Sequence, residues 1–233
     1  MVERTGTSIR ARLRAELTEE IKSAARRQLA AEGANLSLRA IARELGMASS
    51  ALYRYFANRD ELLTALIIDA YDALGAAAET ADARHRRRGD HVGRWLAVTR
   101  ALRTWALAYP SEYALILGSP VPGYRAPADT TGPASRTPLV LAGIVADAAA
   151  AGALADVPAP PVPAKLRAEL AATAERIALT LPEPMLARVI LAWTQTYGAI
   201  SFELFGQLDN LIDRRDEWFD YQARSMAALI GLH

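Results

Sequence analysis

Apolar residues return at three- and four-residue intervals along most of this chain, the spacing that lines one face of a helix. Leu17, Ile21, Ala24, Ala25 and Leu29 predict a first helix over residues 13–31, ended by Gly33. Leu38, Ile41, Ala42 and Leu45 predict a short second helix. Ser37 stands where its hydroxyl can accept a first-turn N–H, and Gly46 where a left-handed residue ends the helix. Met47 fills the corner. Ser49 or Ser50 is placed to cap a third helix, which turns Leu52 and Phe56 to one side. Asn58-Arg59-Asp60-Glu61 then reads as a capping box opening a fourth helix, from 59 to about 80, with Leu62, Leu63, Leu66 and Ile67 towards a core.

Residues 81–90, ADARHRRRGD, are the first break in the pattern and read as a solvated hinge. Helical spacing returns over 91–109, with Val92, Trp95, Leu96, Thr99, Leu102, Ala106 and Tyr109, and Pro110 ends it. Tyr113 to Leu117 make a further short helix. The Gly-, Pro- and Ser-rich stretch 118–136 reads as a long irregular loop. An alanine-rich helix covers 138–154, a stiff proline linker 156–163, and a polar-faced helix 164–180. From Val189 to Phe205 only Glu203 is charged, so the helix over 185–206 is expected to be buried nearly all round. A second copy of the chain is the simplest cover, giving a homodimer through residues 185–230. A last helix spans 209–231. Every element is helical, so the fold class is all-α. Residues 1–12, with Arg4, Arg10 and Arg12, read as a disordered basic arm.

Helix, glycine turn, helix is the helix-turn-helix plan, whose second helix enters the DNA major groove. The details here are more specific than the plan. The run Leu38-x-x-Ile41-Ala42-x-x-Leu45-Gly46, then Ala51-Leu52-Tyr53-Arg54-Tyr55-Phe56, then Asn58-Arg59-Asp60-Glu61-Leu62-Leu63, resembles the TetR family of bacterial transcriptional repressors. In that family Leu-Tyr-x-x-Phe ends the recognition helix, and a basic residue followed by Glu-Leu-Leu opens the next. Residues 95–206 resemble one C-terminal class of the same family. The matching pieces are Arg103-x-Trp105-Ala106 with Pro110 and Tyr113, then Trp193-x-x-x-Tyr197-Gly198 and Glu203-Leu204-x-Gly206. That class carries Trp-x-x-x-His-Gly; Tyr197 stands where the histidine would be, so that histidine's role does not carry over. The resemblance implies a helix-turn-helix domain over 1–58, with the arm at 1–12. A connecting helix and hinge follow over 59–90, then a ligand-binding and dimerisation domain over 91–233.

Composition narrows the function. The chain has 233 residues, 52% of them hydrophobic, enough for a sizeable core. There is no cysteine, which excludes disulfides and thiolate chemistry. Val2 to Glu20 is charged throughout, unlike a signal peptide, and no stretch has the roughly 20 apolar residues of a membrane span. A cytoplasmic protein with no membrane partner is expected. The net charge of +1 hides an asymmetry. Residues 1–60 hold eleven Lys/Arg against seven Asp/Glu, so a basic head precedes an acidic body, as suits a polyanion at one end only. Motifs of hydrolases, phosphate loops, dinucleotide folds and zinc proteases are absent. His85, His91 and His233 have no metal-ligand spacing. Catalytic residues, metal and cofactor are therefore not expected.

The expected partner is a double-stranded DNA operator. Ala48, Ser49, Ser50, Leu52, Tyr53 and Tyr55 form the recognition segment: serines can bond either base type, alanine can meet a thymine methyl, and tyrosine hydroxyls can reach phosphates. Ser37 and Arg39 begin the preceding helix, and Arg59 matches the family's basic phosphate contact at a helix start. Three competing roles are concrete: Ser49 as a cap only, Leu52 as core, and Arg39 paired with Glu44. By the resemblance the body is a sensor. Trp95, Thr99, Trp105, Tyr109, Tyr113, Trp193, Tyr197 and Phe202 are the candidates to hold a small, mainly apolar effector. The reading is a homodimeric, effector-released repressor whose head meets its body through the helix and hinge of 59–90. Its rivals are an α-helical enzyme or ligand carrier using the head for assembly, and a transcriptional activator.

Overall fold

The structure is a computed structural model that describes residues 9–33 and 36–233. The described residues form ten α-helices: α1 Ile9–Glu32, α2 Leu38–Glu44, α3 Ser49–Leu52, α4 Arg59–Arg84, α5 His91–Ala108, α6 Pro110–Leu117, α7 Thr131–Ala150, α8 Ala164–Arg176, α9 Glu183–Leu204 and α10 Arg215–Ile230. A single 3-10 turn, Ala128–Thr130, precedes α7. The all-α expectation is met; the one extended pairing among the described residues is an isolated bridge between Leu154 and Leu232. Helix α1 begins at Ile9 rather than near Leu13, so residues 9–12 of the expected arm are helical. Residues 1–8 of that arm, Arg4 among them, lie outside the described residues.

The chain divides into two compact units. One is the chain up to Ala70 with Ser111–Thr130; the other is Tyr71–Pro110 with Thr131–His233. This is not the linear division that the pattern suggests. Helix α4 is one continuous element whose first half belongs to one unit and whose second half to the other. Segment 111–130 joins the head unit through side chains far apart in sequence. The Thr64 and Tyr124 hydroxyls are 2.9 Å apart, and Arg26 Nε lies 3.5 Å from Glu112 Oε1. The chain therefore passes between the two units after Ala70, after Pro110 and after Thr130.

In the first unit the predicted stripes meet as drawn. Ile21, Ala24 and Ala25 of α1, Ile41 and Ala42 of α2, Leu52, and Leu62 and Leu63 of α4 are all fully buried. Charges tie the helices at the edge of this core: Asp69 of α4 receives both Lys22 and Arg26 of α1. In the second unit Trp95, Val98 and Leu102 of α5, Leu141, Ile144 and Val145 of α7, and Ala192 and Ile200 of α9 are buried. The Trp95 indole N–H donates to the Ala223 carbonyl at 3.1 Å. Leu170 and Ala174 of α8 pack with Leu186 of α9 as a smaller cluster.

Several boundaries depart from the pattern. The loop expected to reach residue 136 ends at Ala128, because Pro133 falls in the first turn of α7, where its missing N–H is not needed. Pro138, by contrast, lies inside α7. The last helix begins at Arg215, not 209: Gly206 and Asn210 both adopt positive φ, which breaks the chain between α9 and α10. Helix α9 is buried on one face only, through Leu186, Val189, Ala192, Thr196, Ala199 and Ile200. Leu191 and Phe202 on its other face are each 55% exposed, so burial all round is not achieved within one chain.

Acid should weaken the second unit. Burial would raise the Asp82 carboxyl, but hydrogen bonds from Arg94 and Arg88 outweigh it and hold the group below its ordinary value. The Gly93 N–H does the same for Asp90, the cap of α5, and Arg100 for Asp220. Each folded-state value lies below the unfolded one, about 3.9 for aspartate. The stability they contribute is therefore complete above about pH 4 and is lost as pH falls through the lower folded values. Thermal midpoints followed by circular dichroism should hold steady down to about pH 5 and fall below about pH 4. A midpoint that does not fall on acidification would contradict these shifts.

Candidate nucleic-acid interface and ligand site

The turn between α2 and α3 is built as its residues predict. The Ser37 hydroxyl accepts the Ala40 N–H at 3.3 Å, while its own N–H donates to Gln28 Oε1 at 3.0 Å. Gly46 has φ +65°, a conformation that a Cβ would strain, and the Met47 N–H closes the corner on the Ala42 carbonyl at 2.8 Å. Ala48, extended and without a side-chain bond, caps α3; neither Ser49 nor Ser50 serves as its cap. Both serine side chains are exposed and left for another partner. Helix α3 is one turn long and continues as turns through Tyr53, Arg54 and Tyr55, the Tyr55 N–H donating to the Leu52 carbonyl at 2.8 Å.

Burial sorts the predicted contacts. Ser37, Arg39, Ala48, Ser49, Ser50 and Tyr53 are exposed, and Tyr55 and Arg59 are half-buried. Leu52 is 0% exposed and is corrected to a core residue: its helical position turns it inward with Phe56. Arg39 is not held by Glu44. That carboxylate takes Arg27, at 2.6 Å, and Arg39 has no ion pair among the described residues. The start of α4 is fixed by an interlocked cap. Asn58 Oδ1 accepts the Glu61 N–H at 2.9 Å, and Glu61 Oε2 accepts the Ala57 N–H at 2.6 Å. Arg59 is thereby presented at a helix N-terminus, its Nη1 3.6 Å from Asp60. The structure adds a residue that the pattern missed. Arg14 of α1 lies over the Tyr55 ring, 5.5 Å from its centroid, and donates to the Arg54 carbonyl at 3.3 Å. No local signal marks such a contact, since its partners are about forty residues away in sequence.

The eight candidate ligand residues differ in burial and in partners. Trp95 is buried with its N–H satisfied, and the buried Thr99 hydroxyl bonds back to its own helix. Trp105 packs against Tyr109, ring centroids 5.6 Å apart, and Tyr109 is itself exposed. Tyr113 is fully buried. Phe202 is on the outer face of α9, beside a shallow groove shared with Gln195, Gly198, Leu208, Trp218 and Gln222.

Trp193 and Tyr197 remain, edge to face at 5.8 Å. They form part of a polar group, half-buried around the buried Thr137, that the pattern did not assemble. Burial pushes the Tyr197 phenol up, and the Thr137 and Trp193 side chains pull against that shift. Tyr71 of α4, close enough to add to it, is itself pushed up by burial. The Trp193 Nε1 atom is buried and makes no hydrogen bond of proper geometry. Among the described residues no cluster of three or more His, Cys, Asp or Glu could hold a metal ion, and no helix is long and apolar enough to cross a membrane.

Both parts of the chain match known protein families. Residues 21–66 match the family described as bacterial regulatory proteins, tetR family. Residues 95–226 match the tetracyclin repressor-like C-terminal domain. HTH-type transcriptional regulators of Mycobacterium tuberculosis and Mycobacterium bovis are 40% identical over 231 residues, covering 94% of this chain and 94% of theirs. Among solved structures, the regulatory protein SCO4313 is 35% identical with a TM-score of 0.77, over 95% of this chain and 100% of that one. A tetR-family regulatory protein from Rhodococcus RHA1, at 17% identity over 93% of this chain and 97% of that one, shares the fold with a TM-score of 0.62.

Proposed function

The chain belongs to the TetR family of bacterial DNA-binding transcriptional regulators, and from that premise we propose a cytoplasmic homodimeric repressor that grips a near-palindromic operator and is released by a small, mainly apolar ligand. The observation that carries the DNA reading is the exposed polar face of the recognition segment. Ser49, Ser50 and Tyr53 stand free of the core, and Arg39 and Arg59 belong to the same unit. Serines and Arg39 read base edges; Tyr53, Tyr55 and Arg59 hold phosphates. A gel-shift assay on DNA upstream of its own gene tests this, and failure to shift any fragment would remove the proposal.

The outer faces of α9 and α10 support the dimer. Leu191, Phe202 and Phe205 of the α9 region and Tyr221 of α10 are exposed, more apolar surface than an isolated chain covers. Two such pairs packed as four helices would bury on the order of 2,000 Å². Phe202→Glu should then give monomers in sedimentation and weaken operator binding by more than about tenfold, since each monomer grips a single half-site. A fully dimeric F202E chain would place the interface elsewhere.

For the effector, the group of Tyr71, Thr137, Trp193 and Tyr197 is the favoured site, and the Trp193 indole N–H, which meets Tyr197 only in poor geometry, can turn to a hydrogen-bond acceptor on an otherwise apolar molecule. The connector over 59–90 and segment 111–130 would carry the signal to the head. Recognition helices must sit about 34–36 Å apart to enter adjacent major grooves. A shift of a few ångströms would therefore weaken both half-sites at once. Binding linkage supplies the test: a ligand that quenches tryptophan fluorescence must bind less tightly when operator is present. Equal affinities would mean that the body does not control the head.

A further inference from the structure

The first two turns of α1 bury no residue. Residues 9–16 are exposed all round, Ile9 at 78% and Leu13 at 52%. Nor does the helix start follow the usual electrostatics. It carries Arg10, Arg12 and Arg14 with no acid in its first turn, although the positive end of a helix disfavours cations. A local rule broken without compensation inside the fold marks a functional segment.

The direction of these arginines is set by the helix itself. Arg10, Arg14, Leu17, Ile21 and Ala24 follow one stripe at three- and four-residue spacing. Its C-terminal half, Ile21 and Ala24, is fully buried in the head core. Where the core runs out the same stripe turns basic. Arg14 then lies over Tyr55 and bonds the Arg54 carbonyl, immediately after the recognition helix. Arg10 is one turn further along the same face. Neither forms an ion pair among the described residues, although Glu16, Glu19 and Glu20 share the helix. Those acids sit on a separate face that borders Leu45.

We propose that the N-terminal turns of α1 are a further DNA-contacting element, in which Arg14 and Arg10 hold the operator's phosphate backbone beyond the groove entered by the recognition helix. This rests on the DNA-binding reading of the head. Arg14 is stacked on one of the tyrosines assigned to phosphate, so its guanidinium is already at the backbone's edge. The pair contributes affinity and register, not base choice.

The test uses the full chain and two duplexes: one selected from a random pool by the wild-type protein, and one scrambled duplex of the same length. Fluorescence anisotropy is measured from about 50 to 200 mM salt, the range over which counterion release is read, for wild type, Arg10→Ala, R10A/R14A and Arg14→Lys. Removing one phosphate partner should flatten the plot of log affinity against log salt by about 0.9, so R10A/R14A should flatten it by about 1.8 per head. Binding to both duplexes should fall together by about tenfold or more, while Arg14→Lys keeps the slope. Arg10→Ala removes no packed atom and cannot fail by misfolding; it alone should flatten the plot by about 0.9 per head. Unchanged slopes in R10A and R10A/R14A would overturn the proposal, and so would weaker affinity at an unchanged slope, which is a structural effect. A wild-type chain that selects no duplex would instead remove the DNA-binding reading itself.

Discussion

Arg103→Ala should cost the protein about 3 kcal/mol, because it leaves a buried carboxylate without its counter-charge. Arg103 of α5 grips Glu203 of α9 with a two-pronged contact, Nε and Nη2 each 2.6 Å from a separate carboxylate oxygen. Both side chains are largely buried, and Asp216 and the Phe219 ring of α10 close over the guanidinium. The residue thus joins three helices of the second unit. At about 2–4 °C per kcal/mol for a chain of this size, the thermal midpoint should drop by about 6–12 °C. Arg103→Lys should recover little, since an ammonium cannot reproduce the fork. The double variant R103M/E203M should regain most of the loss, because it removes both charges from the interior. A double variant no better than R103A would mean that the pair contributes through packing alone.

Operator binding should fall on the order of 10²-fold or more in the Y53F/R59A double variant, from charge-assisted bonds of about 1.5–3 kcal/mol and a neutral one of about 1 kcal/mol in each head. The loss should be the same for selected and scrambled duplexes, because phosphate contacts carry no sequence information. Arg39→Ala should behave differently. If the guanidinium reads a guanine edge, its removal costs about 1–3 kcal/mol on the selected duplex and much less on scrambled DNA. Neither change touches the core: Tyr53 is 45% exposed, and Arg59 lies at the outer end of α4. Anisotropy titrations of both variants against wild type decide it. Unchanged operator affinity in Y53F/R59A would refute the face assigned here.

The head was legible in the sequence because local rules fix it. Ser37 caps, Gly46 turns, Asn58 and Glu61 interlock, and a three-helix core follows from stripes that each helix displays on its own. The family was legible for the same reason: its motif is a run of contiguous residues with fixed roles. The polar residues of that run are exposed or half-buried, and its large apolar member Leu52 is core, because the spacing that exposes Tyr53 buries its neighbour.

Tertiary structure alone decided the rest. A helical stripe says that a residue is buried, not which helix it meets. The aromatics of the body therefore read alike in the sequence, and only the structure tells buried Trp95 and Trp105 from exposed Tyr109 and Phe202. The polar group around Tyr197 draws on Tyr71 and Thr137, from helices far away in sequence, and nothing in either segment announces it. The same holds for Arg14 over Tyr55, and for segment 111–130, which joins the head through Glu112 and Tyr124. Capping, turning and periodicity act over a few residues and are written in order along the chain. Ion pairs, ring contacts and buried polar groups act across space, and only folding chooses their partners.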